Sequence, residues 1–189
     1  MKIIHQPNTR DRLLDAAEEV IIQRGILSMT LEAVAAQAGV SKGGLLYHFP
    51  TKDAVVHGMV SRVVTILQQR FALLLAQEPQ GTGRHARTLL RLMTEREGSL
   101  FPRLQRVAAP LMASAVNKPE LLKPMQKFFR EILQGMIADG LSPDRSWLIL
   151  AALDGIKFWK IFSNVQPSQV DLEGLRLLLL QIIEWPRMN

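Results

Sequence analysis

The chain contains no cysteine. Disulfides, thiolate metal sites and cysteine nucleophiles are therefore excluded, and a reducing cytoplasm is compatible with the composition. Histidine is sparse: His5, His48, His57 and His85 are scattered, and no two stand at a metal-ligand spacing. There is no glycine-rich phosphate loop, no nucleophile motif, no strand-like alternation, no internal repeat and no low-complexity segment. An all-α enzyme thus finds little support, and no cofactor or metal is expected. Residues Met1 to Arg10 lack the apolar core of a signal peptide. The most apolar runs, Trp147 to Leu153 and Leu177 to Ile183, are too short to span a bilayer and are followed by Asp154 and Glu184. These absences lead us to expect a cytoplasmic protein without a membrane partner.

What is present allows a sizeable core. The chain has 189 residues, of which 48% are hydrophobic, enough for one large domain or two small ones. The net charge of +6, from 23 basic and 17 acidic residues, suits a nucleic-acid partner. The basic residues are dispersed, however. Up to Lys52, six basic residues face five acidic ones, so any positive face must arise from segregation within that segment.

The stretch from Thr30 to Lys52 has the strongest local punctuation. Thr30 is placed to cap a helix over Leu31 to Ala38, and Gly39 stands where the chain needs positive φ. Ser41 caps a second, very short helix over Lys42 to His48. Two short helices joined by a tight turn form a helix-turn-helix pattern, in which the second helix enters a DNA major groove. Before it, Asn8 or Thr9 caps a helix carrying Leu13, Ala16, Ala17, Val20 and Ile21 at helical spacing, ended by Gly25. Ile26, Leu27 and Met29 should plug the small core.

After Pro50, Thr51 caps a long helix from Lys52 to about Gln77. Further helices are expected over Arg84 to Arg96, Leu100 to Val116 (kinked or split at Pro110), Asn117 to Ala138 with Pro124 as a kink or second start, Ser142 to Phe162, and Val170 to Glu184. The fold class is all-α, with about nine helices. The expected domains are residues 1–52, binding DNA, and 53–189, for effector binding and dimerisation.

These features resemble the TetR family of transcriptional regulators. The resemblance rests on Gly25, Thr30, Val34-Ala35, Ala38-Gly39-Val40-Ser41, Lys42-Gly43, Leu46-Tyr47-His48-Phe49 and Lys52-Asp53. It covers roughly the first 55 residues; beyond them only length, helix number and the Ala152 to Gly155 stretch match. It implies a homodimer, a palindromic operator in double-stranded DNA, and a small-molecule effector sensed by the C-terminal half.

Within this frame the expected DNA-facing residues are Thr30, Ser41, Lys42, Gly43, Gly44, Leu46, Tyr47, His48 and Lys52. The resemblance places Tyr47, the only tyrosine, on a phosphate; otherwise it is a core aromatic with a wet tip. His48 and Lys52 suit phosphates, and Lys42 suits a phosphate or a guanine edge. Thr30 combines capping with a phosphate contact. Two glycines in a helix cost roughly 1 kcal/mol each relative to alanine, and their reward is close backbone approach. Where the family often carries a small hydroxylated side chain, this chain has Gly44, which leaves one base-reading group fewer. Leu46 either touches a thymine methyl or packs. Phe49 belongs to the core.

In the C-terminal half, the helices over Trp147 to Phe162 and Leu172 to Trp185 are apolar nearly all round. They are expected to form a four-helix dimer interface through Trp147, Leu150, Ala151, Gly155, Leu175, Leu178, Leu179 and Ile182, or else the core of one chain. Candidates for lining an effector cavity are Met93, Phe101, Arg103, Leu104, Met112, Met125, Phe128, Phe129, Asp154, Phe158, Trp159 and Phe162, and plain core packing is the alternative for each. Their apolar character points to a hydrophobic or amphipathic effector, and Arg103 to an anionic one. The leading reading is a repressor that binds its operator as a dimer and is released by the effector. The alternatives are a DNA-binding regulator without a ligand and an all-α enzyme.

Overall fold

The structure is a computed structural model describing residues 8–94, 111, 118–162 and 168–185, with only the backbone at 157–162 and 169. The described residues form eight α-helices and no strand. They are α1 (Thr9–Arg24), α2 (Leu31–Ala38), α3 (Lys42–His48), α4 (Lys52–Gln77), α5 (Arg84–Thr94), α6 (Lys123–Ala138), α7 (Pro143–Phe162) and α8 (Gln169–Glu184), with a 3-10 turn at Pro119–Leu122 before α6. The helix expected over Leu100 to Val116 falls almost wholly outside the described residues. Pro124 is the second start rather than the kink: the 3-10 turn ends as α6 begins at Lys123. Chain contacts divide the molecule into two compact units, Met1–Val64 with Gly98–Met125 and Thr65–Glu97 with Gln126–Asn189. The first therefore extends past the boundary expected at residue 52.

The first unit is built from capped helices around a small dry core. Asn8 accepts from the Asp11 amide at 2.8 Å. Thr30 accepts from Ala33 at 3.1 Å, Ser41 from Gly44 at 3.1 Å and Thr51 from Ala54 at 3.0 Å. Each cap satisfies one amide that a helix start leaves unpaired. Leu13, Leu14, Ala17, Val34 and Leu45 are fully buried, joined by Phe49, Met29 and, from α4, Val55, Val56, Met59, Val60 and Val64. Gly58 permits this packing, since a Cβ there would sit 2.8 Å from the Phe49 ring. The apolar link does not plug the core throughout. Met29 is buried, but Leu27 is 92% exposed, because the turn uses its carbonyls, not its side chain, to bind the rest of the unit.

Arg62 of α4 fastens α4 to α1. It donates to Asp15 at 2.9 Å, to the Asp11 carbonyl at 3.3 Å and to the buried Glu18 carboxylate. One described helix, α4, is long and apolar enough to cross a membrane by length and composition. Its buried valines and Met59 are spent on this core instead, and Arg62 lies among them.

In the second unit, Phe71 and Leu74 of α4 pack with Leu89, Leu90 and Leu92 of α5, Phe128, Ile132 and Met136 of α6, Ile149, Leu150 and Leu153 of α7, and Leu179 and Ile183 of α8 as buried residues. The rings of Phe71 and Phe128 meet edge to face at 6.1 Å. Asp139, just past α6, accepts from the His85 backbone amide at 2.6 Å and meets its ring Nδ1 at 2.7 Å. A carboxylate at the start of α5 thus satisfies one otherwise unpaired amide and complements the helix dipole. A Cβ at Gly135 would sit 2.3 Å from the His85 ring, so glycine makes that approach possible. Helix α8 begins one residue earlier than expected, under a reciprocal cap between Ser168 and Asp171.

Candidate nucleic-acid interface

Helix α3 has seven residues, and its spacing separates an inner from an outer side. Leu45 is fully buried and Phe49 follows it into the core. Lys42, Gly43, Leu46 and Tyr47, one turn apart, are exposed. Tyr47 is 86% exposed, with its ring edge-on to His48 at 5.1 Å. A tyrosine anchored in the core would not be so open, so the reading of a core aromatic with a wet tip is set aside. Gly43 has open space where a Cβ would go, so packing does not demand glycine there. At Gly44 a Cβ would lie 3.3 Å from the Ser41 hydroxyl that caps the helix. Thr30 and Ser41 are exposed and engaged as caps, while His48 is half-buried.

Lys52 and Lys42 both have partners within the unit. The Lys52 ammonium donates to the carbonyls of Ile26 at 2.8 Å and Leu27 at 3.5 Å, so Lys52 ties the turn after α1 to the start of α4. The ammonium keeps its charge and a third N–H beyond these two carbonyls. Lys42 lies 2.7 Å from Glu32, a residue not singled out by the sequence reading, and both side chains are well exposed. The Glu32 carboxyl is held below its ordinary range, first by the hydrogen bond from Lys42, then by a backbone amide and the charge of Lys42, with a smaller hydrogen bond from Thr30. Arg10 was also missed: its guanidinium lies over the Phe49 ring at 5.1 Å. Arg12 donates to the carbonyl of Ala38 at 3.0 Å, at the end of α2.

Of the effector candidates, the described residues bring together Phe128 and Phe129. Phe101, Arg103, Leu104 and Met112 lie outside them, as do the side chains of Phe158, Trp159 and Phe162. Phe128 is core, packed against Phe71 and Phe129. Met93, Met125 and Phe129 are half-buried, and Asp154 is exposed. A cleft of about 180 Å³ in the second unit is lined by Glu78, Arg87, Leu90, Arg91, Thr94, Arg176 and Leu180; Arg87 is ion-paired with Glu78 and Arg176 with Glu173. Of the dimer candidates, Leu150 and Leu179 are buried in their own unit. Trp147, Ala151 and Leu178 are exposed; Gly155, Leu175 and Ile182 are half-buried.

Comparison with known proteins agrees with this architecture. Residues 13–59 match the bacterial regulatory proteins of the tetR family. Residues 83–184 match the tetracyclin repressor-like C-terminal domain. The HTH-type transcriptional repressor BepR of Brucella suis is 37% identical over 54 residues, 29% of this chain and 26% of the repressor. Matches of this kind span only about a quarter to two-fifths of the curated relatives' length. Over nearly the whole chain, multidrug binding protein EbrR complexed with ethidium is similar at 26% identity and a TM-score of 0.70, covering 95% of this chain and all of that one. A transcriptional regulator from Rhodococcus sp. Rha1 reaches a TM-score of 0.73 at 26% identity, covering 92% and 95%. With the helix-turn-helix of α2 and α3 at one end of the sequence and a C-terminal family domain matching more than half of it, the chain belongs to the TetR family of bacterial regulatory proteins.

Proposed function

We propose that the protein is a DNA-binding transcriptional regulator, acting as a repressor from a palindromic operator bound by a homodimer. The outward side of α3 carries this reading: Lys42, Gly43, Leu46 and Tyr47 are exposed on a seven-residue helix whose other side is sealed by Leu45. Tyr47 suits a phosphate, Leu46 a thymine methyl, and the open backbone at Gly43 a close approach. So short a helix reads few bases. Two copies on two half-sites supply the missing specificity.

Support for the dimer comes from exposed apolar residues on the last two helices. Trp147 and Leu148 on α7, and Leu177, Leu178 and Trp185 on or just after α8, are about half exposed or more. Apolar side chains grouped this way mark an interface more often than a bare surface. For the effector, the likeness to a protein that binds ethidium supports a hydrophobic or amphipathic small molecule. Such a molecule releases DNA only by binding the released form more tightly than the DNA-bound form. The role is one of binding, in the cytoplasm where the operator lies.

The test is selection of bound duplexes from a random pool, followed by titration of the selected site against salt. The expected result is a palindromic consensus and an affinity that falls linearly on logarithmic axes, by about 0.9 per phosphate contact. Binding indifferent to both sequence and salt would overturn the proposal. Screening amphipathic compounds for release of the selected duplex then separates a ligand-responsive regulator from one without a ligand.

A further inference from the structure

An exposed acid stands among the groups expected to meet DNA. Glu32, in the first turn of α2, holds the Lys42 ammonium at 2.7 Å, with the two side chains 61% and 59% exposed. An ion pair this open to water contributes little to folding. Nor does packing place it there, since neither residue is buried. The Thr30 hydroxyl is engaged separately, as the cap that accepts from the Ala33 amide at 3.1 Å. Lys42, the cation at the start of α3 that suits phosphate, therefore already meets an internal anion.

We propose that Glu32 is a specificity-determining residue that occupies Lys42 until an operator displaces it. This rests on the DNA-binding function proposed above. On DNA of arbitrary sequence, a phosphate must compete with a carboxylate already in hydrogen-bond contact, and Lys42 stays on Glu32. On the operator, α3 seats in the major groove, its matched contacts hold Lys42 against DNA, and the pair opens. The carboxylate lowers sequence-independent attraction, which is the competitor a regulator must suppress in a genome.

The test measures the salt dependence of binding for the full chain and for Glu32→Gln, Lys42→Met and the double variant. Each is measured on the selected operator and on a scrambled duplex, with thermal melting as a check on folding. Glu32→Gln keeps the side-chain shape and removes the charge. On scrambled DNA its slope of log affinity against log salt should steepen by about 0.9 per chain, roughly a further threefold loss between about 50 and 200 mM salt. On the operator the slope should stay unchanged, and with Lys42→Met the steepening should vanish. An unchanged slope on scrambled DNA, or a steepening that persists without Lys42, would overturn the role of Glu32 while leaving DNA binding intact. If Glu32→Gln melts early, Glu32→Ala answers the same question. Failure of the wild-type chain to prefer the operator would instead remove the proposed function itself.

Discussion

In the first unit the large apolar residues of α1, α3 and the early part of α4 turn inward. Leu13, Leu14, Leu45, Phe49, Val55 and Met59 are all nearly inaccessible to water, and Leu27 and Tyr47 are the conspicuous exceptions. The second unit buries an equally dry set, Leu89, Met136, Ile149 and Leu179, yet leaves Trp147, Leu148, Val170, Leu177, Leu178 and Trp185 outside. The first unit satisfies most of its hydrophobic pattern within one chain, with Ile22, Leu27, Leu46 and Tyr47 left toward its surroundings. The second has more apolar surface than one chain covers. The contrast supports the two partners proposed above, a polar, charged one for α3 and an apolar one for α7 and α8.

The self-sufficiency of the first unit is broken most severely at Arg62. Replacing it with methionine leaves the Glu18 carboxylate buried without that cation. A loss of about 3–5 kcal/mol is expected, read as a lower urea midpoint at constant slope. Adding Glu18→Gln should recover part of it, because the buried carboxylate that Arg62 met no longer carries a charge. The openness of the second unit is tested by Trp147→Ser with Leu178→Ser. On a free surface such changes stay within about 0.5 kcal/mol. On a face covered by a second copy, an aromatic anchor is worth about 2 kcal/mol, so dimer association should weaken roughly 30-fold or more. Sedimentation across a concentration series decides between these outcomes. A smaller effect belongs to the polar partner. Tyr47→Phe removes one hydroxyl and should weaken operator binding roughly fivefold, about 1 kcal/mol, with the salt slope unchanged because no cation is lost.

How much of this was legible in the sequence depended on range. Asn8, Thr30, Ser41 and Thr51 act on amides three residues away, so their caps and the bounds of α2, α3 and α4 could be read directly. Ser168 with Asp171 carries the same local signal, and it sets the start of α8 one residue before the expected Val170. Lys52 was readable as a cation at a helix start. Its partners, the Ile26 and Leu27 carbonyls, lie a turn and two helices earlier in the chain and could not be read. Glu32 and Lys42 are ten positions apart, and only the fold of the turn between α2 and α3 makes them neighbours. Periodicity correctly marked α7 and α8 as apolar on many sides. It could not tell which leucines, such as Leu150 and Leu179, the chain would keep for itself.

The two units also differ in how they start an exposed helix, and acid should reveal it. In α2 the cap is Thr30 alone, and the first-turn Glu32 gives its charge to Lys42. In α8 the cap is reciprocal: Ser168 accepts from the Asp171 amide, and the Asp171 carboxylate accepts from the Ser168 hydroxyl and amide. Those two hydrogen bonds, the hydroxyl first, hold the Asp171 carboxyl below its ordinary value of 3.8. A carboxyl depressed by folding contributes stability that is fully present above the unfolded value and is lost as pH falls through the folded one. Asp171→Asn should therefore lower the melting temperature slightly by a constant amount from neutral pH down to about 5. The gap should narrow only below 3.8, as the wild-type carboxylate takes up its proton. A gap that closes well above that value, or one that persists into strong acid, would mean that the charge of Asp171 is not what closes the cap.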